Sequence, residues 1–264
     1  MLIAQITDTH VTAAGTLAYG KVDSNRALAA AVAHLNALRP RPDLVLITGD
    51  LVSDGRPDQY AALRALLAPL EPPCRLLPGN HDEREALRSA FPDHAYLPRE
   101  GPFLHYVVED LPRRVIALDT VIPGRPEGGL CPRRLGWLLK RLAEAPERPT
   151  LIAMHHPPVD TGIAHMDAMR CFHDGVLGTL VARFPAIAGI VAGHVHRPVM
   201  VPWRGTVVRV CPSTAFQVGL TLGPGGGAWA TDEPPAAALH SWRSDSGLVS
   251  HLSFIGDYRV TPFG

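Results

Sequence analysis

The stretch Leu44-Val45-Leu46-Ile47-Thr48-Gly49-Asp50 joins an apolar run to a turn that carries a charged side chain. The run up to Thr48 contains only aliphatic and β-branched residues, which is typical of a buried strand. Gly49 lets the backbone turn sharply, and Asp50 follows it with a carboxylate. The stretch therefore predicts a buried strand that ends in a polar side chain at the edge of a sheet.

Apolar runs of this kind alternate with amphipathic ones along the chain. The predicted strands are Leu2 to Thr7, Leu44 to Thr48, Arg75 to Leu77, Leu104 to Val108, Val115 to Leu118, Leu151 to Met154 and Ile187 to Ala192. The predicted helices are Ser24 to Leu38, Asp58 to Leu70, Glu83 to Phe91, Pro132 to Ala143 and Phe172 to Phe184. This alternation indicates an α/β protein with much parallel pairing.

Five short segments follow apolar runs and carry side chains that bind metals. They are Asp8-Thr9-His10, Gly49-Asp50, Gly79-Asn80-His81-Asp82, His155-His156 and Gly193-His194-Val195-His196. Because open α/β sheets bind ligands at the carboxyl ends of their strands, we expect these side chains to meet there. Together they suffice for two divalent metals, which clamp the attacking and leaving oxygens of a phosphoryl displacement. The sequence therefore predicts a metal-dependent phosphoesterase.

The spacing of these residues predicts how their side chains are aimed. Asp8 and His10 are two residues apart, and residues so spaced point to one side of an extended chain, so both are expected to reach one metal. Asp50 has two carboxylate oxygens and is the natural bridging ligand between two cations. Asn80 offers only a neutral amide oxygen, which predicts a more weakly held second metal.

Each segment also has an ordinary explanation when it is taken alone. Gly49-Asp50 is a common turn signal, and Asn80 suits a loop with left-handed backbone. His155-His156-Pro157-Pro158 could be a strand end broken by prolines, and His194-Val195-His196 could be a solvated turn. The occurrence of all five segments at predicted strand ends favours a joint metal site.

Length and composition restrict the classes of protein that the chain can belong to. Its 264 residues fit a single domain over 1-264, in which residues 213-250 are expected to form a small cap or an oligomer contact. The 25 basic and 25 acidic residues balance, which argues against a nucleic acid polymer as partner. No apolar stretch approaches the roughly 20 residues of a membrane span. The absence of a signal peptide and of CxxC spacing predicts a cytoplasmic protein.

The order of motifs, Asp-x-His, Gly-Asp, Gly-Asn-His-Asp, His-His-Pro and Gly-His-x-His, resembles that of the calcineurin-like metallophosphoesterases over residues 1 to 215. The stretches Tyr19 to Asn25, Gly55-Arg56-Pro57 and Leu118-Asp119-Thr120 are similar to the bacterial branch that holds class III cyclic-nucleotide phosphodiesterases and glycerophosphodiesterases. The resemblance implies an α/β fold arranged as a four-layer αββα sandwich with the site on the sheet edges.

The resemblance also implies a role for each motif residue. The first metal would be held by Asp8, His10 and His196, the second by Asn80, His155 and His194, and Asp50 would bridge them. His81 would not bind metal. It would instead stabilise charge at the scissile phosphate or donate a proton to the leaving oxygen.

Three further polar residues are expected to support the ligands. His156 follows His155 on an extended segment and should therefore point away from the metals, in a packing or supporting role. Asp82 and Asp119 are expected to accept hydrogen bonds from ligand histidines and orient them. Two segments, Val159 to Asp174 and Ser213 to Gly219, are expected to form the rim of the substrate pocket.

The implied reaction is attack of a metal-bound hydroxide on a small phosphodiester, either a 3',5'-cyclic nucleotide or a glycerophosphodiester. Mixed nitrogen and oxygen donors suit manganese or iron, with cobalt and zinc as alternatives. The branch also implies a homo-oligomer, a dimer or a multiple of dimers. The alternatives are a phosphomonoesterase acting on nucleotides or phosphoproteins and a non-catalytic metal-binding scaffold of the same fold.

Overall fold

Short strands and helices alternate along the chain. The computed structural model describes residues 1–172, 175–223, 225, 227–243, 247–259 and 261–262. The helices are α1 Ser24–Ala37, α2 Pro57–Leu67, α3 Arg84–Ala90, α4 Pro132–Glu144, α5 Ala164–Asp167 and α6 Val176–Arg183. The strands are β1 Leu2–Ile6, β2 Leu44–Thr48, β3 Cys74–Leu77, β4 Tyr106–Val108, β5 Arg114–Leu118, β6 Gly128–Gly129, β7 Thr150–Met154, β8 Cys171–Phe172, β9 Ile187–Ala192, β10 Val199–Trp203, β11 Thr206–Val210, β12 Gln217–Val218, β13 Ala230–Thr231, β14 Ala236–Arg243 and β15 Gly247–Phe254.

Two large sheets contain most of these strands. Within the described ranges, the strand order is β15-β14-β1-β2-β3 in the first sheet and β10-β11-β9-β7-β5-β4 in the second. Strands β1, β2 and β3 are parallel to one another, as are β5, β7, β9 and β11. The outer strands β4, β10, β14 and β15 pair antiparallel with their neighbours. The central strands of each sheet therefore direct their carboxyl ends to a common edge.

The two sheets pack face to face, and helices cover their outer faces. Strand β7 contributes side chains to two separate apolar cores, because successive side chains of a strand point to opposite faces. Leu151 and Ala153 belong to the apolar core that includes the first sheet and helices α1, α2 and α3. Ile152 and Met154 belong to the second core, beneath α4 and α6. This arrangement confirms the predicted four-layer αββα sandwich.

Hydrogen bonds between the sheets set the carboxyl ends of their strands against each other. Gln5 on β1 donates from Nε2 to the carbonyl oxygen of Ala192, the last residue of β9, at 2.9 Å. Just beyond the ends of β1 and β9, the backbone amide of His194 donates to Asp8 Oδ2 at 2.9 Å. The segments that follow β1 and β9 are thereby brought to one edge of the sandwich.

The late part of the chain departs from the predicted cap. Strand β14 pairs with β1 from Leu2 opposite Ser241 to Gln5 opposite Ala238, and β15 continues the same sheet. Residues 236–243 are therefore part of the first sheet, whereas a cap would lie outside the sheet. The small β12–β13 ribbon is the element of the 213–250 region that stays available as a cap or oligomer contact, and the single-domain assignment stays a prediction.

Arg114 ties the start of β5 to the end of α4. Its side chain is only 2% exposed. Nε donates to Thr150 Oγ1 at 2.9 Å, Nη1 to the carbonyl of Arg141 at 2.8 Å and Nη2 to the carbonyl of Ala145 at 3.1 Å. These carbonyls lie at the carboxyl end of the helix, where backbone acceptors lack partners within the helix and favour a cation. Arg114 therefore caps α4 from the neighbouring sheet.

We expect Arg114→Met to lower the free energy of unfolding by about 2 kcal/mol, because the α4 carbonyls lose charged donors in a buried position. Urea unfolding followed by circular dichroism measures this loss. Lys140→Met removes a cation from an exposed position of the same helix and should leave stability within about 0.5 kcal/mol. Equal stability of the two variants would contradict the capping role of Arg114.

Candidate metal centre

All five predicted segments meet at the edge where the central strands end. Each begins within a few residues of a strand: the groups are Asp8 and His10 after β1, Asp50 after β2, Asn80 and His81 after β3, His155 after β7, and His194 and His196 after β9. Asn80 and His81 are half-buried, and the other side chains are buried. The structure thus brings the side chains of all five predicted segments together at this edge.

The first cluster consists of Asp8, His10 and His196. His196 Nε2 lies 3.2 Å from Asp8 Oδ1 and 3.2 Å from His10 Nε2. The other ring nitrogen of His196, Nδ1, lies 2.9 Å from the carbonyl of Phe216 and must donate to it. In the neutral ring, Nε2 is then an electron-pair donor that faces a carboxylate oxygen and a second imidazole. Three ligand atoms in this arrangement fit a cation between them.

The second cluster repeats this arrangement around His155. Its Nδ1 lies 2.8 Å from the carbonyl of Thr48, so the proton of the neutral ring is held there. The other ring nitrogen, Nε2, lies 3.2 Å from Asn80 Oδ1 and 3.4 Å from Asp50 Oδ1. His194 lies with His155 and His156 in a group whose potential ligand atoms are all within 4.8 Å of one another. The Nε2 atom of His194 is buried without a hydrogen-bond partner among the described residues. A buried nitrogen in this state fits a metal ligand.

Asp50 lies between the two clusters. Its Oδ1 faces His155 in the second cluster, while its Oδ2 lies 3.8 Å from His10 Nε2 in the first. The backbone amide of His81 donates to Oδ1 at 2.9 Å and fixes the carboxylate. Burial opposes ionisation of Asp50, but the surrounding imidazoles, His155 above all, hold its pKa well below the usual range. Asp50 is therefore an ionised carboxylate that presents one oxygen to each cluster.

Two of the imidazoles are neutral because they are buried. Burial lowers the pKa of His10 to about 3 and that of His194 to about 3, so neither ring is protonated near neutral pH. Burial also opposes protonation of His155, but the Asp50 carboxylate raises its pKa to about 9. This pairing of buried carboxylates with imidazoles gives the centre the nitrogen and oxygen donors that divalent transition metals bind.

The backbone at the centre differs from the extended geometry predicted for Asp8 and His10. Five residues of the two clusters have positive φ, namely Asp8 (53°), His10 (42°), Asp50 (48°), His194 (69°) and His196 (52°). Left-handed backbone is unusual for such residues and concentrates at functional sites. It turns each loop so sharply that His194 and His196 reach different clusters, which two residues on one side of a strand would not do.

The glycines of the motifs are required by the close approach of the strand ends. A Cβ on Gly79 would lie 2.2 Å from Asp50 Oδ1, and one on Gly193 would lie 2.0 Å from Thr7 Oγ1. Both distances are far below van der Waals contact, and the neighbouring atoms belong to packed segments. The motifs therefore contain glycine because only its backbone leaves space for the adjacent ligand loop.

The sequence analysis predicted that His156 points away from the centre, and this prediction is wrong. Its Nε2 lies 3.1 Å from Asn80 Oδ1 and 3.2 Å from the carbonyl of Pro126, two acceptors that require a proton on this nitrogen. Its Nδ1 lies 2.7 Å from Thr120 Oγ1 and accepts from that hydroxyl. Since the protonated Nε2 has no free electron pair, we infer that His156 orients the Asn80 amide oxygen toward the second cluster.

The expectation that Asp82 and Asp119 orient histidines is wrong. Asp82 accepts hydrogen bonds from the amides of Leu51 and Gly79, and Asp119 pairs with Arg84 at 2.7 Å. The backbone carbonyls of Thr48 and Phe216 orient His155 and His196 instead. This contribution leaves no signature in the sequence, because every residue carries a carbonyl.

The rim of the centre is partly the predicted one. The ring of Phe216, in the predicted segment Ser213 to Gly219, lies 4.5 Å from that of His196. Tyr19 was not predicted to line the site, although it begins one of the stretches that carry the family resemblance, and its ring lies 5.5 Å from Phe216. In the second predicted segment, Asp167 accepts hydrogen bonds from Thr161, while residues 173 and 174 lie outside the described residues.

Residues 1–198 match the family described as calcineurin-like phosphoesterase. The chain belongs to this family. Members of the calcineurin-like phosphoesterase family use a binuclear metal centre, in agreement with the paired clusters. Among the described residues, no helix combines the length and apolar character that crossing a membrane would require.

Two relatives of this chain have names that specify different phosphodiesters as substrates. The chain is 37% identical over 222 residues to the glycerophosphodiester phosphodiesterase GpdQ of Enterobacter lignolyticus, covering 83% of this chain and 79% of the relative. It is 32% identical over 268 residues to the 3',5'-cyclic adenosine monophosphate phosphodiesterase CpdA of Escherichia coli K12, covering 98% and 92%. In fold, the chain is similar to a dimetal phosphatase from Danio rerio, with a TM-score of 0.66, 14% identity and coverage of 97% and 99%.

We expect Asn80→Ala to lose metal from the second cluster, because it removes one oxygen donor and leaves His155, His194 and the shared Asp50. Elemental analysis after dialysis against manganese should show close to two ions per wild-type chain and close to one in the variant. Added manganese should partly restore the activity of the variant.

Asn36→Ala provides the matched control. The Asn36 amide bonds to the backbone of Pro69 and Glu71, so this variant should keep both ions. Full activity of Asn80→Ala in chelator-treated buffer would show that Asn80 is not a ligand.

Proposed function

We propose that this chain hydrolyses small phosphodiesters at a binuclear metal centre. The observation that supports this most strongly is the set of electron-pair donors that converge on two points with one carboxylate, Asp50, between them. Asp8, His10 and His196 would hold the first ion, Asn80, His155 and His194 the second, and Asp50 both. When bound, two divalent ions lower the pKa of water and offset the charge that develops on a phosphate.

In this proposal His81 acts on the substrate. Its Nδ1 lies 2.7 Å from the carbonyl of Ser53 and donates to it, which fixes the ring. Its Nε2 lies 4.0 Å from Asp50 Oδ2, so the ring also falls within a potential ligand group with His10 and Asp50. Its side chain is 32% exposed, whereas the proposed ligand Asp50 is 3% exposed. An accessible imidazolium can donate a proton to a leaving alkoxide or stabilise phosphate charge.

We expect His81→Ala to lower kcat about 100-fold or more while both metal ions stay bound, since general acid catalysis contributes at this level. Steady-state kinetics and elemental analysis of the same preparation give the two readouts. A loss of metal together with activity would make His81 a ligand and remove its proposed role toward the substrate.

The names of the relatives favour a diester over a monoester. Glycerophosphodiesters are the first choice because the relative named for them is more similar to this chain than CpdA is, and 3',5'-cyclic nucleotides are the second. The alternatives are a phosphomonoesterase and a metal-binding scaffold without activity. The scaffold is disfavoured because each ligand position of the family motif carries a residue that can bind a metal.

We expect the manganese-reconstituted protein to hydrolyse bis(p-nitrophenyl) phosphate with a kcat/KM at least about tenfold above that for p-nitrophenyl phosphate, which corresponds to about 1.4 kcal/mol of selectivity. Equal or better turnover of the monoester would support the phosphatase alternative. Absence of turnover with both ions bound would support the scaffold.

Natural substrates are compared in a second assay with the same protein. The kcat/KM for glycerophosphoethanolamine measured beside that for cyclic AMP decides between a role in recovering glycerol and phosphate and a role in ending a second-messenger signal. A large excess for cyclic AMP would contradict our first choice.

The metals that we propose are manganese or iron, with cobalt or zinc as alternatives, because the centre mixes imidazole with carboxylate and amide oxygen. Elemental analysis of the protein as purified tests this choice. A cytoplasmic location is proposed because Cys74, Cys131, Cys171 and Cys211 are free thiols, which suit a reducing compartment. Fractionation of the producing cells tests the location.

We also propose that the chain forms a dimer or a multiple of dimers. Strand β15 lies at the edge of the first sheet and exposes Leu252 and Phe254, while Met200 is exposed on the edge strand β10 of the second sheet. Apolar side chains on unpaired edge strands favour association with another chain. A monomeric mass in light scattering at micromolar concentration would contradict this assignment.

A further inference from the structure

A buried amide joins the two sheets close to the metal centre. Gln5, on β1, is 0% exposed. Its Nε2 donates two hydrogen bonds, one to Thr48 Oγ1 at 2.8 Å and one to the carbonyl oxygen of Ala192 at 2.9 Å. Thr48 is the last residue of β2 in the first sheet, and Ala192 is the last residue of β9 in the second. The amide therefore links the carboxyl ends of two strands that belong to different sheets.

The second cluster takes its donors from both of these sheets. Asp50 follows Thr48 by two residues at the end of β2, whereas His155 and His194 follow strands β7 and β9 of the second sheet. The Thr48 carbonyl also holds His155 Nδ1, at 2.8 Å. A shift of β2 against β9 would therefore move the Asp50 carboxylate and the Thr48 carbonyl relative to both imidazoles.

The first cluster has separate ties across the sheets. Asp8 Oδ2 accepts from the backbone amide of His194 at 2.9 Å, and the Asp8 carbonyl accepts from the hydroxyl of Ser213 at 2.8 Å. His194 and Ser213 follow strands of the second sheet, whereas Asp8 follows β1 of the first. Loss of the Gln5 amide should therefore affect the second cluster more than the first.

A second buried side chain fixes the orientation of the Gln5 amide. The Ala192 carbonyl can only accept a hydrogen bond, so the amide nitrogen faces it and Oε1 is left to accept elsewhere. His240 Nε2 lies 3.1 Å from this Oε1, and His240 Nδ1 lies 2.8 Å from Ser250 Oγ. Burial, together with the charge of Arg209, lowers the pKa of His240 to about 3, so the ring carries one proton near neutral pH. That proton lies on Nε2 and is donated to Gln5.

Stability alone does not require this pair of polar side chains. Both Gln5 and His240 are 0% exposed, and a buried polar group costs free energy unless it is hydrogen-bonded. Replacing both partners of a buried hydrogen bond with apolar groups of the same shape can leave stability nearly unchanged. What the bonded amide adds is a fixed register between the strand ends that it joins.

We propose that Gln5 is a positioning residue for the second metal ion and that His240 holds its amide in the orientation this requires. The inference rests on the proposed binuclear centre, because it concerns the ion of the second cluster. Partners outside the ligand set change metal affinity by about 10- to 100-fold. Gln5 sets the affinity of the second ion without contacting it.

The first test is Gln5→Leu, which removes all three hydrogen bonds of the amide and keeps an apolar side chain of similar size. Calorimetric titration of the metal-free protein with manganese should give a Kd for the second ion about tenfold above that of the wild type, at the lower end of such effects. The Kd of the first ion should stay close to the wild-type value. Titration of Asn80→Ala, which should bind one ion, identifies the step that belongs to the second cluster.

Gln59→Leu is the matched control. Gln59 is 3% exposed and also makes three hydrogen bonds, with Asp54 Oδ2 at 2.7 Å and with the backbone amides of Asp54 and Arg56 at 2.9 Å and 3.5 Å. These bonds lie at the start of α2, so the variant should keep the wild-type affinity for both ions. An equal loss of second-ion affinity in both variants would reveal a general loosening of the fold and overturn the role of Gln5.

Variants of His240 test the orientation of the amide and carry the test if Gln5→Leu does not fold. His240→Leu removes the donor to Gln5 Oε1 and should weaken the second ion, though by less than Gln5→Leu does. His240→Gln places an amide donor near the position of the ring Nε2 and should restore most of the affinity. Weakening in His240→Leu that His240→Gln does not recover would overturn the role of His240 in orienting the amide.

The outcomes also separate the role of Gln5 from the function on which it rests. An unchanged Kd of the second ion in Gln5→Leu or in His240→Leu would overturn the positioning role, while two bound ions and hydrolysis of bis(p-nitrophenyl) phosphate by the wild type would keep the proposed function standing. A wild-type protein that binds fewer than two manganese ions would overturn both proposals.

Discussion

The close approach of buried carboxylates and imidazoles is the constraint on which this centre depends. His196 Nε2 lies 3.2 Å from both a carboxylate oxygen and a second imidazole nitrogen, and its ring is fixed by a bond from Nδ1 to a backbone carbonyl. His155 is fixed in the same way by Thr48. Because neither ring can turn without losing that bond, a cation is the ligand that converts the crowding into favourable contacts.

The packing of the two sheets holds these donors close together. Three parallel strands of one sheet and the parallel strands of the other end at a shared edge, where His194 of one bonds to Asp8 of the other. Left-handed backbone at the ligands and glycine at Gly79 and Gly193 allow an approach that ordinary loops would not reach. Such strain costs on the order of 1–3 kcal/mol per residue and persists because the packed sheets determine each position.

Most of the fold and the membership of the site could be predicted, because both depend on local patterns. Apolar runs predicted the strands, and the polar residues after them predicted which side chains meet at the shared edge. The failures involve contacts between distant segments. His156 turns inward because Thr120 and Pro126 offer it partners, and Phe172 pairs in β8 where a helix was expected. Residues 236–243 pair with β1 in the first sheet, and the local pattern of a strand does not reveal which other strand it pairs with.

The two clusters differ in charge, and this difference connects metal binding with substrate binding. The first cluster has its own carboxylate, Asp8, whereas Asn80, His155 and His194 in the second are uncharged donors when the rings are neutral. The second cluster therefore depends on the shared Asp50 for negative charge. An anionic phosphate placed there would supply more, so by linkage substrate and second ion should strengthen each other's binding. The supporting contact from His156 to Asn80 then matters most when no substrate is bound, because the weakest donor of the weaker cluster must already be oriented.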